Sequence, residues 1–169
     1  MKNVLIIDYG TGNLKSVYNA VKKVSEKQDC KIFVSSSIED LKKSTHIILP
    51  GVGAFESCLN GLIKTKVLSY LEEMVLEKKK PFLGICVGMQ MLATKGYENG
   101  EFSGLGWISG EVKKINNQNN SLNIHHMGWN TLKFLTQTAI TRRLLKKMKV
   151  TNLTDISAYF VHSYNFKNK

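Results

Sequence analysis

Apolar and polar positions follow two rhythms in the first half of this chain. "NVLIID", residues 3–8, is a continuous apolar run closed by an aspartate, the pattern of a strand buried on both faces. Leu14, Val17, Ala20, Val21 and Val24 then recur at helical spacing. "CKIFVS", 30–35, predicts a second strand, and Ser37 with Asp40 makes a capping-box-like pair opening a short helix over 38–43. "HIILP", 46–50, predicts a third strand, stopped by Pro50. Val67, Leu68, Leu71, Met74 and Val75 mark one face of a helix that runs into the lysines at 78–80. "PFLGI", 81–85, predicts a fourth strand, with a helix from Val87 to about Ala93. Strands alternating with helices predict an α/β fold, a mostly parallel sheet with helices on both faces. In such sheets the site lies at the carboxyl ends of the strands.

The second half changes rhythm. From Gly104 to Ile124, glycines, asparagines and short apolar pieces predict antiparallel strands and turns, with "NNQNN" at 116–120 as a loop. Residues 128–135 and 156–164 are further strand candidates, and Thr141–Lys149 a short basic helix. No linker interrupts the chain, so residues 1–169 are expected to form one domain.

Composition narrows the classes. With 169 residues and 43% hydrophobic content, the chain has enough apolar surface for one soluble core. No apolar run approaches the roughly 20 residues of a membrane helix. The opening "MKNVLIID" lacks the long core and cleavage site of a signal peptide, so a cytoplasmic protein is expected. Cys30, Cys58 and Cys86 are odd in number and spaced like no zinc site, which predicts free thiols and no metal. The net charge of +11 raises nucleic-acid binding. But only Arg142 and Arg143 are arginines, the lysines are scattered, and no nucleic-acid-binding motif accompanies them. The charge reads as solvated lysine faces, with a partner of acidic surface left open.

Cys86 has a special setting. "GICVG", 84–88, follows a predicted strand and precedes a predicted helix, which is the cysteine form of a nucleophile elbow. The two glycines permit a sharp, strained turn that lifts the sulfur above the sheet. A helix N-terminus there favours a thiolate, and the amide of Val87 is placed to stabilise an oxyanion. A buried cysteine between packing glycines would fit the bare motif equally well. "LPGVGAF", 49–55, ends the third strand. Gly51 and Gly53 allow unusual dihedrals and close approach of a ligand, and the Val52 amide is a candidate second oxyanion donor. Taken alone, these residues read as an ordinary Pro-Gly turn.

Together "PGVGAF" and "GICVGMQ" resemble the class I, triad-type glutamine amidotransferases, whose fold is flavodoxin-like. "IIDYGTGNL" at 6–14, "HMGWN" at 126–130 and "YFVHSY" at 159–164 extend the resemblance over nearly the whole chain. The resemblance implies that Cys86 attacks the carboxamide of L-glutamine, forms a glutamyl thioester and releases ammonia. It implies oxyanion positions at Val52 and Val87 and glutamine-binding positions at Gly51, Gly53, Gln90 and Glu98. Glu98 would equally fit as a surface carboxylate. It implies no cofactor, and a heterodimer in which ammonia passes to a cyclase subunit of (β/α)8-barrel fold. Asn13, Trp129 and Tyr159 match that interface, although both aromatics would also suit a core. His125 stands where the family usually has proline, and "MLATKGYENG" departs from its acidic stretch. Related subunits serve cyclase-like partners that amidinate surface sugars.

The family's triad histidine and glutamate lie in a histidine-proline-glutamate motif, and none occurs in these residues. His46 opens a buried strand, His125 and His126 precede the Met127-Gly128 turn, and His162 matches a position outside the triad. None is an evident base. "VHSYNFKNK" reads as family sequence entering its next segment. The expectation is therefore a C-terminally incomplete domain without its last strands, with little or no glutaminase activity. The rival expectation is a non-catalytic subunit that keeps only the partner surface. "PGVG" and Gln90 argue against a cysteine-elbow chaperone or deglycase.

Overall fold

The computed structural model describes residues 1–115, 126–134, 136, 138–149 and 156–168. They fall into two units, Met1–Lys114 with Asn165–Lys169, and Ile115–Tyr164. The expected loop at 116–120 and His125 lie outside the described residues.

The first unit opens with β1 (Lys2–Ile7), α1 (Leu14–Ser25), β2 (Cys30–Ser35), α2 (Ile38–Lys43) and β3 (His46–Leu49). It continues with α3 (Phe55–Lys64) and α4 (Leu68–Glu72), which passes into a π turn over Glu73–Glu77. Then come β4 (Phe82–Gly84), α5 (Val87–Gln90), β5 (Ala93–Gly96), β6 (Phe102–Ser103) and β7 (Ile108–Lys114).

A four-stranded parallel sheet in the order β2-β1-β3-β4 is the centre of the unit. Successive side chains on a strand point to opposite faces. Val4, Ile6 and Ile48 meet Leu14, Val17 and Val21 of α1 on one face. Leu5, Ile7, Ile47 and Leu49 point to the other and are equally sealed from solvent. Both faces are therefore covered, which explains why these strands read as unbroken apolar runs rather than as alternation.

Local chemistry fixes the ends of the helices. Asn13 Oδ1 accepts from Ser16 N at 3.1 Å and starts α1, and Ser37 Oγ accepts from Glu39 N at 3.2 Å and starts α2. Lys80, the last of the lysine cluster, is not simply solvated. Its Nζ donates to the carbonyls of Leu41 (3.1 Å) and Lys42 (2.9 Å) at the end of α2. Burial there lowers its pKa below the ordinary lysine value.

Two elements differ from the sequence reading. Residues 55–64, given no helix there, form α3, with Phe55, Cys58, Leu59 and Leu62 buried along one stripe. The helix after Cys86 ends at Gln90 instead of near Ala93. Ala93–Gly96 is claimed by a second sheet, ordered β10-β7-β5-β6, where β5 runs parallel to β7 and antiparallel to β6. Its edge strand β10 (Tyr164–Asn168) comes from the end of the chain.

The second unit contains β8 (His126–Thr131), α6 (Ala139–Met148) and β9 (Ser157–His162). β8 and β9 pair antiparallel from His126↔His162 to Thr131↔Ser157. Thr138 and Thr141 close a reciprocal capping box on α6.

Candidate active site

Pro50–Gly53 follows β3, and Ile85–Gly88 follows β4, so both turns leave the carboxyl edge of adjacent parallel strands. Ile85 N donates to Leu49 O at 2.9 Å and carries the sheet ladder up to the second turn.

Cys86 lies at the top of that turn with φ 54° and ψ −118°. A non-glycine residue there is strained by about 1–3 kcal/mol and must be held by its surroundings. The surroundings are glycines packed against backbone. A Cβ on Gly88 would fall 2.0 Å from Leu49 O, and one on Gly84 would fall 2.7 Å from Met89 Cα. A Cβ on Gly51 would fall 2.5 Å from Gly88 N. The two turns therefore touch backbone to backbone, an approach that only glycine permits. Gly53 adds a φ of +117°.

The sequence reading placed a nucleophile here, and the thiol is exposed rather than buried. The amides of Val52 and Val87 have no acceptor among the described residues. Val87 is buried, whereas the Val52 side chain stands 60% exposed. Gln90, one turn on from Cys86, is buried and bonded. α5 is only one turn long, so its dipole is smaller than a full helix would supply.

Glu98 is neither free nor merely a surface group. Its Oε2 accepts from Phe55 N at 2.8 Å, capping α3, whose N-cap residue Ala54 offers no side-chain acceptor. Its Oε1 has no partner among the described residues.

Two residues that the sequence reading did not single out border the Pro50–Gly53 loop. Tyr9 is buried, and its hydroxyl donates to Pro50 O at 2.5 Å. Cys58, fully buried in α3, donates its thiol proton to Val52 O at 3.5 Å. Burial pushes the Tyr9 phenol well above its ordinary value, the Cys58 and Cys86 thiols add to this, and a bond from Thr11 opposes it. The clue to Cys58 was its place on the apolar stripe of α3, three residues after Phe55.

Within the first unit, His46 does not serve Cys86. His46 begins β3, three residues before Leu49, so it lies about 10 Å down the strand toward the opposite edge. In the second unit His126 Nδ1 and His162 Nε2 bond each other at 2.9 Å, and His162 Nδ1 is 3.0 Å from Tyr164 O. Among the described residues no cluster of three metal-ligating side chains forms. No helix there is long and apolar enough to cross a membrane.

Asn13 is exposed at the start of α1, beyond the carboxyl end of β1. Trp129 and Tyr159, which would also have suited a core, are 74% and 54% exposed. They pair across β8 and β9, with ring centroids 5.7 Å apart.

A family model described as "Glutamine amidotransferase class-I" matches residues 5–169. The imidazole glycerol phosphate synthase subunit HisH of Pelagibacter ubique is 43% identical over 170 residues, covering 97% of this chain and 75% of that protein. The subunit of the same name from Rhodospirillum rubrum is 41% identical over 167 residues, with the same two coverages. Subunit HisH 1 of Campylobacter jejuni is 40% identical over 166 residues, covering 98% of this chain and 76% of that protein. A glutamine amidotransferase from Thermotoga maritima, solved as a crystal structure, aligns with a TM-score of 0.57 at 17% identity. That alignment covers 99% of this chain and 63% of that one, and it speaks for the fold alone. The strained cysteine turn, the glycine loop packed on it and these likenesses agree: the chain belongs to the class-I glutamine amidotransferase family.

Proposed function

We propose that this chain is the glutaminase subunit of an imidazole glycerol phosphate synthase. It hydrolyses L-glutamine to glutamate and ammonia and delivers the ammonia to a (β/α)8-barrel cyclase, its partner in a heterodimer. The cyclase makes imidazole glycerol phosphate and an aminoimidazole carboxamide ribotide in histidine biosynthesis. The observation that carries the reading is Cys86 held at positive φ, beside a glycine loop, with the Val87 amide next in sequence and the Val52 amide in that loop both without an acceptor among the described residues. The names of the relatives, each at about 40% identity over nearly all of this chain, support this pathway over amidination of surface sugars.

In this reading Cys86 Sγ attacks the carboxamide carbon. The carbonyl oxygen takes the negative charge and accepts from Val52 N and Val87 N. Collapse breaks the C–N bond, ammonia leaves with an added proton, and water then cleaves the thioester. Gly51 and Gly53 leave room for the substrate, and Gln90 and the free oxygen of Glu98 hold its amino-acid end. Asn13, Trp129 and Tyr159 face the cyclase. The thiol chemistry requires no cofactor.

The leaving ammonia needs a proton donor, and among the described residues His46 bonds Thr45 while His126 and His162 bond each other. We infer that residues 1–169 alone acylate Cys86 but turn over at a trace rate. In the test, the chain and a purified cyclase subunit are treated with a glutamine-like chloroketone, and glutamate release is followed separately. Cys86 is expected to be alkylated, with the label lost in Cys86→Ala and little glutamate formed. An unlabelled Cys86 would overturn the glutaminase reading. Rapid Cys86-dependent glutamate release would overturn the slow turnover and leave the site in place.

A further inference from the structure

We infer that Tyr9 and Cys58 are positioning residues that hold the Pro50–Gly53 loop from beneath, fixing where the Val52 amide stands beside Cys86. The inference rests on the glutaminase reading of that site and gives a role to two side chains that the reading leaves unused.

The loop has three peptide units between Pro50 and Gly53. The first is fixed through its carbonyl, because Tyr9 Oη donates to Pro50 O at 2.5 Å. The third is fixed likewise, because Cys58 Sγ donates to Val52 O at 3.5 Å. The middle unit carries the Val52 N–H, which has no acceptor among the described residues. That donor thus stands between two anchored carbonyls. A donor intended for developing negative charge works best when its orientation is set before the charge appears.

The anchors are themselves secured. Tyr9 is buried, and a Cβ on Gly61 of α3 would come within 2.9 Å of Tyr9 O and 3.2 Å of its ring. The phenol therefore packs onto α3 at a point where only glycine fits. Cys58 lies one turn before Gly61 on the same helix, so a single rigid element backs both anchors. Thr11 completes the cluster. Its hydroxyl lies 3.6 Å from Cys58 Sγ. The Cys58 proton is committed to the Val52 carbonyl, so Thr11 is the donor in that contact. The motif "DYGTGN" at 8–13 thereby acquires a purpose, since it presents Tyr9 to the Pro50 carbonyl and Thr11 to Cys58. Burial keeps the Tyr9 phenol protonated, and hence a donor, well into alkaline conditions.

The test compares two reagents on Cys86, read as mass shifts of its peptide. A glutamine-like chloroketone develops charge on its carbonyl oxygen and uses the loop amide, whereas iodoacetamide alkylates the thiol without that need. In Tyr9→Phe the chloroketone rate is expected to fall about tenfold, the worth of one net hydrogen bond. Cys58→Ala should fall about threefold, since thiol hydrogen bonds are weak, and Cys58→Ser should recover part of the loss. Iodoacetamide rates should stay at the wild-type value, which also reports that the turn is folded. If Tyr9→Phe does not fold, the Cys58 pair decides. Equal loss with both reagents, or no loss with the chloroketone, overturns the positioning role. An unlabelled wild-type Cys86 would instead overturn the glutaminase reading.

Discussion

The Cys86 turn and the β8–β9 ribbon are built on opposite terms. At the turn, the close packing rests on side chains that are missing. Gly51, Gly84 and Gly88 bring backbones within distances that no Cβ tolerates, and Cys86 carries its side chain at a strained positive φ. On the ribbon, side chains stand outward without cover. Met127, Trp129, Tyr159 and Val161 share one exposed face of two strands that, among the described residues, pair only with each other. A pair of strands is marginal by itself, so its exposed apolar face is more useful to a partner than to the fold. The difference teaches that substitutions at the turn should be read as stability, and substitutions on the ribbon as association.

The strongest test of that contrast is Gly88→Ala. The new methyl meets Leu49 O inside the sheet, so a loss of about 3 kcal/mol or more is expected. Chemical denaturation measures it, and a loss under 1 kcal/mol would break the claim that the turn is jammed. Cys86→Gly should move the other way. Removing the side chain at φ 54° relieves strain and raises stability by about 1 kcal/mol, while alkylation is abolished. A destabilised variant would show that the turn is not strained. Trp129→Ala should change stability by only about 0.5 kcal/mol, yet weaken cyclase binding at least tenfold by calorimetry. Unchanged affinity would remove Trp129 from the interface.

The smallest effect belongs to Tyr9 and depends on pH. Its phenol value is raised on folding, so the native protein holds that proton longer than the unfolded chain does. The associated stability is complete below about pH 10 and declines above it. Melting temperatures should therefore fall more steeply above that pH in the wild type than in Tyr9→Phe. Parallel curves would refute it.

The parallel sheet was legible because buried strands write themselves as apolar runs, and β1 to β4 each did so. The cysteine turn was legible because its glycines sit at fixed offsets. α3 carries Phe55, Cys58, Leu59 and Leu62 at regular helical spacing, but the glycine loop beside it dominates the pattern. The stop of α5 was not legible. Met91, Leu92 and Ala93 continue an apolar stretch that fits a helix or a strand, and the choice is made by pairing with Ile108–Val112 far along the chain. The anchoring roles of Tyr9 and Cys58 were also hidden, since a hydroxyl and a carbonyl 41 positions apart leave no local trace.

Glu98 carries one more consequence. Its carboxylate ends α3 through the Phe55 amide and leaves the other oxygen open. In the proposed reading a substrate ammonium takes that oxygen and draws on the charge that the helix already uses. By reciprocity, occupancy of the pocket must register at the first amide of α3. The exchange rate of the Phe55 amide proton is then a built-in gauge of ligand binding, readable without any turnover.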